Sequence, residues 1–300
     1  MTPAQLTKKY RIDNPHKFQL VLHDAADTGG TALDKKRGKA MLTQDTERLK
    51  ELQERLYAHG RWAMLVLLQG MDTSGKDGVI EHVMGAINPQ GCEVHSFKAP
   101  SEEELAHDFL WRAAKRLPER GHVGIFNRSY YEEVLVVRVH PELLARQKLP
   151  ERVSGKEIWK QRFADISAFE GHLANSGVLV LKFFLHMSKE EQRQRLLARL
   201  DEPAKHWKFS LGDIAERKLW DQYMAAYEDM IRATSQPQAP WYVVPADHKW
   251  FARLVVARAM VEALEGLDLA YPKIEGDALK ELEKVRVALV SEAPKRGPRT

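Results

Sequence analysis

The chain has 300 residues, of which 44% are hydrophobic and 29% charged, and its formal net charge is +4. This near-balance excludes a polyanion-binding surface spread over the whole molecule, so any anion site must be a local cluster. The single cysteine, Cys92, excludes an intrachain disulfide and a cysteine-rich zinc site. No apolar stretch reaches the roughly 18 residues that span a bilayer. The N-terminus lacks the apolar core of a signal peptide, so we expect a cytoplasmic protein without a membrane partner.

Residues 1–40 are polar and contain many turn formers, which predicts an N-terminal arm that packs on the domain without building it. We interpret its four clustered basic residues as a solvated face rather than a site: Lys35, Lys36, Arg37 and Lys39. An amphipathic helix is predicted at 41–59, where one stripe collects Leu42, Leu49, Leu52 and Leu56. Gly60 is the expected stop of this helix.

A phosphate-binding loop is predicted between an apolar strand at 63–68 and a helix at 79–87. The connecting sequence has the spacing Gly70-x-x-x-x-Gly75-Lys76. Its glycines let backbone N–H groups turn towards a phosphate, and the following helix adds the positive end of its dipole. Asp77 stands where Ser or Thr usually ligates Mg²⁺, so Asp72 is the first candidate metal ligand. The plainer alternative is an ordinary strand-to-helix turn with a surface lysine.

The remaining elements alternate along the chain. Further strands are predicted at 92–97, 122–126, 178–185 and 241–244. Helices are predicted at 101–116, 129–139, 157–174, 188–200, 214–233 and 250–264, with capping boxes at Ser101 and Ser188. This order predicts an α/β fold, a three-layer α/β/α sandwich with a parallel sheet. We expect one domain at 41–268 with a helical lid at about 199–220, followed by a polar, flexible tail at 269–300.

Charged residues follow four of the predicted strands, at the edge where α/β folds bind ligands. Asp72, Lys76 and Asp77 follow the first strand, and Lys98 follows the second. The third is followed by Asn127, Arg128 and Glu132, and the fourth by a helix that bears Arg193, Arg195 and Arg199. Cations can neutralise phosphate oxygens and carboxylates can hold Mg²⁺, so this mixture favours phosphoryl transfer.

The end of the third strand departs from the usual pattern. P-loop enzymes normally place an Asp there to hold Mg²⁺, whereas this chain has Asn127. The missing charge can come from Glu132, one turn into the next predicted helix. Glu133 is the weaker candidate, because on a helix it points about 100° away from Glu132. The alternative for Glu132 is an ordinary surface acid.

The segment between Ser188 and Trp220 is basic and carries an aromatic residue, Trp207. Basic groups on a mobile loop can close over a phosphate chain and exclude water, and an aromatic residue there can stack on a base. The candidate residues in this segment are Arg199, Lys205, Trp207, Lys208 and Arg217. The alternative is a solvated pair of charged helices, since acidic residues share the segment.

Three motifs occur in order: G-M-D-T-S-G-K-D-G, then F-N-R-S-Y-Y-E, then R-L-D-E-P-A-K-H-W-K-F-S-L-G-D with W-D-Q-Y. Over about 8–267 the chain resembles the polyphosphate kinase 2 family, and within it the subgroup that phosphorylates both AMP and ADP. Asn127 and Glu132 are similar to that subgroup. The resemblance implies a thymidylate-kinase-like P-loop kinase that transfers the terminal phosphoryl of inorganic polyphosphate to AMP or ADP. It also implies Mg²⁺, with Mn²⁺ as a substitute, and a homo-oligomer, either a dimer or a tetramer.

The resemblance implies roles for individual residues. Asp72 would bind the metal and help to activate the acceptor phosphate, and Lys76, Arg128 and Arg199 would hold the transferring phosphoryl and polyphosphate. The full phosphate-binding set is Gly70, Thr73, Ser74, Gly75, Lys76, Asp77, Gly78, Lys98, Arg128, Arg199 and Lys208. The catalytic set is Asp72, Lys76, Arg128 and Glu132, with Asp72 and Glu132 as the candidate metal ligands. The resemblance leaves open whether Glu132 binds the metal or contacts the nucleotide. The nucleotide and lid set is Asn127, Glu132, Lys205, Trp207 and Arg217.

Two rival functions remain open from the sequence alone. One is an ATP-dependent nucleoside monophosphate kinase on the same fold. The other is a regulator that binds polyphosphate or nucleotide without turnover, which would not need a carboxylate such as Asp72 among phosphates. Nucleic-acid binding is disfavoured by the balanced charge and the lack of a basic, aromatic sheet face.

Overall fold

The computed structural model describes residues 3–30, 33–155, 157–208 and 210–292. Its centre is a five-stranded sheet in the order β2-β3-β1-β4-β5, and all four strand pairings are parallel. The strands are β1 Ala63–Gln69, β2 Cys92–Ser96, β3 Val123–Asn127, β4 Val178–His186 and β5 Trp241–Pro245. Each predicted strand is therefore confirmed to within one residue at either end.

Helices cover both faces of the sheet, which confirms the predicted three-layer α/β/α fold. One layer contains α2, α3 and α12, and the other contains α8 and α11. The helices are α1 Pro3–Tyr10, α2 Lys35–His59, α3 Lys76–Val83, α4 Glu102–Ala106, α5 Trp111–Ala114, α6 Val136–Val139, α7 Pro141–Ala145, α8 Ile158–Asn175, α9 Lys189–Asp201, α10 Leu211–Lys218, α11 Trp220–Thr234, α12 Lys249–Glu265 and α13 Asp277–Ser291. Because β1 lies between two strands and two helical layers, all seven of its residues are buried, as expected for an apolar central strand.

Three predicted helices are interrupted in the structure. The helix predicted at 101–116 is divided into α4 and α5, because the Asp108 side chain accepts a hydrogen bond from the Leu110 N–H and turns the chain. The helix predicted at 129–139 is a 3₁₀ helix, Tyr130–Val134, followed by the short α6. The helix predicted at 214–233 is divided into α10 and α11, which meet at Leu219.

Both capping predictions identify real helix starts. At Ser101 both halves of the capping box are present, with Glu104 as the reciprocal acceptor. At Ser188 the side chain accepts from the Glu191 N–H, but the Glu191 carboxylate pairs with Arg195 instead of returning to the cap. The second prediction is therefore right for the cap and wrong for the box.

The two ends of the chain are more structured than expected. Leu6, Tyr10, Phe18 and Leu20 of the N-terminal arm are buried members of the hydrophobic core, so this arm helps to build the domain. Helix α2 begins at Lys35, six residues before the predicted start, because Asp34 caps it by accepting from the Arg37 N–H.

The expected flexible tail contains helix α13, all of whose residues are exposed. The last eight residues of that tail, 293–300, lie outside the described part of the chain. No helix among the described residues combines the length and apolar character needed to cross a membrane.

Candidate functional site

The loop after β1 is held in a strained, inward-curled conformation. Gly70, Thr73 and Gly75 all have positive φ angles, of 153°, 68° and 106°. A side chain at Gly70 would meet the Ser74 hydroxyl at 2.7 Å and the Leu185 carbonyl at 2.9 Å, so only glycine fits there. The loop leads directly into α3, whose first turn points its N–H groups into the same space. This is the geometry of an anion cradle.

Lys76 is the first residue of α3 and folds back over the loop. Its Nζ donates to the carbonyls of Gly70 at 2.7 Å and Met71 at 3.2 Å. Burial, and secondly the neighbouring Arg128, lower the pKa of Lys76 to about 8. The lysine is therefore a buried cation that a phosphate could attract away from the loop carbonyls.

Arg195 of α9 binds the backbone of the phosphate loop through hydrogen bonds. Its guanidinium donates to the carbonyls of Thr73 at 2.9 Å and Ala246 at 2.6 Å, while its Nε pairs with Glu191 at 2.7 Å. The side chain is buried and connects the phosphate loop to the end of β5. Arg195 was expected on the charged helix after the fourth strand but was not predicted as a site residue. The Glu191–Arg195 spacing was visible in the sequence, but the carbonyls that Arg195 binds come from distant segments.

Asp72, Arg128 and Glu132 form a charged cluster where the loops after β1 and β3 meet. Arg128 contacts Asp72 at 2.5 Å and Glu132 at 3.3 Å. The amide of Gln69 satisfies its neighbours when its nitrogen faces Glu132 Oε1 at 2.9 Å and its oxygen accepts from Ser129. Arg128 has a positive φ of 63°, which turns its side chain back over the end of β1. The predicted carboxylates and arginine are thus in direct contact.

Burial and charge act in opposite directions in this cluster. Burial raises the pKa of Glu132, although the nearby cations Arg128 and Lys76 counteract it. Burial opposes the charge of Arg128, but Glu132 and Asp72 outweigh it and raise the pKa of the guanidinium above its ordinary value. Arg128 therefore stays charged and has two carboxylates competing for it.

Asn127 and Asp77, the two residues that depart from the usual P-loop pattern, form a hydrogen-bonded pair. The Asn127 Nδ2 donates to Asp77 Oδ1 at 2.7 Å, across the gap between the end of β3 and the first turn of α3. In the usual P-loop pattern a carboxylate ends the strand and an uncharged hydroxyl residue begins the helix. Here the carboxylate, Asp77, begins the helix, and the uncharged residue, Asn127, ends the strand. An acid in the first turn also suits the helix dipole. The two departures noted in the sequence are thus one exchange.

A cationic channel of about 580 Å³ runs along the phosphate loop. Seven cations and three carboxylates line it: Lys76, Arg128, Arg195, Arg199, Lys205, Lys249 and Arg253, with Asp72, Asp77 and Glu81. Lys249 and Arg253 belong to α12 and were missed by the sequence analysis, since that helix reads as a buried apolar element. The Arg253 guanidinium lies over the first turn of α3, with Nη2 3.1 Å from the place a Gly78 Cβ would occupy.

A second cavity, the apolar pocket, lies on the other side of Arg128. It encloses about 270 Å³ and is lined by residues from the β2–α4 loop and from α6 and α7, among them Lys98, Phe109, Val136, Val137, Leu143 and Arg146. Arg128 lines both cavities, and Glu132 faces the apolar pocket. The sequence analysis placed Lys98 among the phosphate-binding residues, whereas the structure places it at the rim of the apolar pocket. Phe109 and Val137 were not predicted as site residues, because both resemble ordinary core residues in the sequence.

Of the predicted lid residues, Arg199 and Lys205 line the channel. Arg199 pairs with Asp213 at 3.0 Å, and Lys205 pairs with Glu202 at 2.5 Å. The Arg217 guanidinium donates to the Lys189 carbonyl at 2.6 Å and so joins α10 to α9. Trp207 is 78% exposed. Lys208 ends a 3₁₀ helix, Pro203–Lys208, and its side chain lies outside the described part of the chain.

No group of three or more His, Cys, Asp or Glu side chains is arranged to hold a metal ion among the described residues. The nearest approach is the pair Asp72 and Glu132, which Arg128 bridges. Mg²⁺ in nucleotide and phosphate sites takes one or two carboxylates and fills its shell with phosphate oxygens and water. The pair fits a cation that arrives with its phosphate, rather than one held by protein ligands alone.

Comparisons with known proteins agree with this geometry. The family model described as "Polyphosphate kinase 2 (PPK2)" matches residues 32–271. The chain is 52% identical over 251 residues to an ADP-polyphosphate phosphotransferase of Rhodopseudomonas palustris, covering 83% of this chain and 87% of that protein. It is 47% identical over 268 residues to an AMP/ADP-polyphosphate phosphotransferase of Meiothermus ruber, covering 89% of this chain and 96% of that protein.

A solved structure extends the likeness to the fold. The crystal structure of polyphosphate kinase 2 from Arthrobacter aurescens superposes with a TM-score of 0.87 at 42% sequence identity. The match covers 97% of this chain and 98% of that one. The family match spans the phosphate loop, both cavities and the residues that join them. The chain belongs to the polyphosphate kinase 2 family.

Proposed function

We propose that the chain transfers the terminal phosphoryl group of inorganic polyphosphate to AMP and to ADP. The observation that carries the proposal is that two cavities of opposite character meet at Arg128. The cationic channel suits a flexible polyanion, and the apolar pocket suits a nucleoside. The names of the relatives from Rhodopseudomonas palustris and Meiothermus ruber support the same substrates.

In this proposal the donor lies in the cationic channel with its terminal phosphate in the loop. The loop N–H groups and Lys76 hold the phosphate oxygens, and Arg128 sits between donor and acceptor. A terminal phosphate oxygen of the nucleotide attacks the terminal phosphorus of polyphosphate. The P–O bond to the rest of the chain breaks, and its electron pair leaves on the shortened chain. Because the nucleophile is already an anionic oxygen, positioning and charge neutralisation suffice.

The apolar pocket would hold the base and ribose of the acceptor. Phe109, Val137 and Leu143 supply apolar walls, and Glu132, which lines the same pocket, would lie beside the acceptor phosphates. Asp72 and Glu132 would together hold a Mg²⁺ ion that arrives with the phosphates, with Mn²⁺ as a substitute. That ion would neutralise charge on the oxygens of the transferring phosphoryl. The carboxylates become available when Arg128 turns from them to a phosphate.

The segment 199–220 would act as the lid of a kinase domain at 41–268. Lys205 lines the channel and Trp207 is exposed, so closure of the lid could bring either residue onto a substrate. We also propose a cytoplasmic homo-oligomer, a dimer or a tetramer. Light scattering of the purified protein measures the oligomeric state directly, and a monomer at all concentrations would exclude it.

The test is an assay without ATP. The purified protein is supplied with polyphosphate, Mg²⁺ and either AMP or ADP, and the nucleotide products are separated by chromatography. We expect ADP from AMP and ATP from ADP. If product forms only when ATP is supplied as the donor, the protein is an ATP-dependent nucleoside monophosphate kinase. If no product forms under any condition, it is a binding protein.

A further inference from the structure

We propose that a long polyphosphate chain leaves the cationic channel over α12 and continues onto a basic patch at the start of α2. The basic patch consists of Lys35, Lys36 and Lys39. It would be an exosite that binds the remote part of the donor and favours long chains over short ones. This inference rests on the proposed function, because it assigns the patch to the same donor.

The contacts between α2 and α12 place the patch beside the channel. Gly38 packs so closely on Trp250 that a Cβ there would lie 2.1 Å from the indole ring. Further along, Asp45 pairs with Arg258, and Arg48 pairs with Glu265 at 2.8 Å. The partners advance together along both helices, so α2 and α12 run parallel and start at the same end.

That common end is the ligand-binding edge of the sheet. Helix α12 follows the carboxyl end of β5 and helix α2 precedes the amino end of β1, so both helices start at the edge where the phosphate loop lies. Lys249 and Arg253, in the first turns of α12, line the channel. Trp250 lies between them in sequence and contacts Gly38, which lies within the patch. The patch is therefore next to the part of the channel that α12 forms.

The charge of the patch is not compensated locally. Within the described residues, Lys35, Lys36 and Lys39 are exposed and no ion pair joins them to a carboxylate. The acid nearest in sequence, Asp34, uses its side chain to cap α2. By contrast, Lys205, which also lines the channel, is paired with Glu202, and the exposed Arg193 of α9 is paired with Glu190. An unpaired cluster on a chain of net charge +4 produces a local positive potential.

The neighbouring channel wall carries the same sign of charge. The pKa of Lys249 is lowered by burial and then by its basic neighbours Arg195 and Lys205. Cations that lie this close attract a polyanion strongly, and binding releases the counterions of the polyanion. A chain long enough to reach both surfaces gains affinity from each, whereas a short chain can occupy only the channel.

The test compares two triple variants that lose the same charge. Lys35→Gln, Lys36→Gln and Lys39→Gln together remove three charges from the patch. Lys50→Gln, Lys280→Gln and Lys284→Gln together remove three exposed charges elsewhere, from the middle of α2 and from α13. For each protein, KM and kcat are measured with long-chain polyphosphate and with a short linear oligophosphate, at low and at moderate salt. Thermal unfolding shows that all three proteins fold.

We expect the patch variant to raise KM for long-chain polyphosphate about fivefold, because three exposed cations each contribute a modest attraction. KM for the short donor, KM for the nucleotide and kcat should stay within a factor of two of wild type. The control variant should behave as wild type with both donors. The difference between patch variant and wild type should shrink as salt screens the charges.

Three results would overturn the exosite. The first is an equal change in KM for long and short donors, and the second is no change with either. The third is a rise in KM for long-chain polyphosphate in the control variant equal to that in the patch variant, because the rise would then come from net charge alone. A wild-type protein without activity on either donor would refute the proposed function instead, so the two failures are distinguishable.

Discussion

Two clusters of cations and carboxylates lie on either side of the segment after β3, and they differ in their access to solvent. In the closed cluster, Lys182 and Glu170 are fully buried and lie 2.5 Å apart. The hydroxyls of Tyr130 and Tyr131 each donate to Glu170 at 2.8 Å. In the open cluster, the pair Arg128 and Asp72 is only partly buried and faces the cationic channel.

The closed cluster has no capacity left for a ligand. Lys182 uses all three of its donors, on Glu170, on the Tyr131 hydroxyl and on the Thr234 carbonyl at 2.7 Å. Arg128, by contrast, divides its donors between two carboxylates and faces two cavities. The same chemical groups thus form a fixed structural element in one place and a site that can exchange partners in the other.

The two clusters are connected through the backbone. Tyr130 and Tyr131 stand between Arg128 and Glu132 in sequence, so the closed cluster anchors the segment that presents the open one. Because β4 and α8 hold Lys182 and Glu170 rigidly, the anchored segment can keep Arg128 at a positive φ. The comparison predicts that mutations in the open cluster affect catalysis, whereas those in the closed cluster affect stability.

The largest effect is expected from Arg128→Ala. Removal of an arginine that stabilises the charge of a transferring phosphoryl costs about 10³-fold or more in rate. We expect kcat to fall by this amount while the free energy of unfolding in urea changes by only about 1 kcal/mol, because Arg128 and Asp72 are partly exposed to the channel. Arg128→Lys is the control, because it keeps the charge but cannot bridge Asp72 and Glu132. A rate near wild type in Arg128→Ala would remove the arginine from the site.

The next effect concerns the closed cluster. Lys182→Met leaves Glu170 as a buried carboxylate without its cation, so we expect a loss of about 3–5 kcal/mol in the free energy of unfolding. The double variant Lys182→Met with Glu170→Leu removes both charges and should recover much of that loss. Urea denaturation of the two variants measures the difference. Equal stability in single and double variants would contradict a mutually dependent pair.

A third prediction uses the titration of Lys76. Its pKa of about 8 means that the free enzyme loses this cation as the pH rises through 8. In the proposed function this cation binds phosphate, so kcat/KM should fall about tenfold for each pH unit above that value. Below pH 8 the titration of Lys76 should not change kcat/KM. Lys76→Arg keeps the charge at all these pH values, so its alkaline decline should disappear. An unchanged alkaline limb in Lys76→Arg would assign the decline to another group.

The smallest effect is expected from Tyr131→Phe. This change removes one hydroxyl from the closed cluster, leaving Lys182 and Glu170 paired with each other, and should cost about 1–2 kcal/mol in the free energy of unfolding. We expect kcat to change less than twofold, because the segment remains anchored by Tyr130. Tyr130→Phe, which removes the neighbouring hydroxyl from the same carboxylate, is the matched variant. A large loss of kcat with unchanged stability in either variant would show that the hydroxyls act on the reaction itself.

Much of the fold and the centre of the site could be predicted from local sequence. Four of the five strands are short, mainly apolar runs, and Asp72, Lys76 and Arg128 follow two of them in motifs whose loops must meet at one edge. Asp77 and Asn127 could each be recognised in the sequence as a departure from the usual P-loop pattern. Their contact could not be predicted, because it depends on the packing of β3 beside β1. Lys249, Arg253 and Arg195 act through tertiary contacts that leave no periodic signal. Helix α13 was not predicted, because its many charged residues suggested a flexible tail despite the helical spacing of its apolar residues.

The most direct test of the two-cavity account is a crossed measurement of KM in two variants. Lys249→Gln with Arg253→Gln weakens the cationic channel, and Phe109→Ala opens a wall of the apolar pocket. The account predicts that the first variant raises KM for polyphosphate and leaves KM for the nucleotide unchanged, while the second does the reverse. If each variant raised both KM values equally, or if the two effects were exchanged, donor and acceptor would not occupy separate cavities that meet at Arg128.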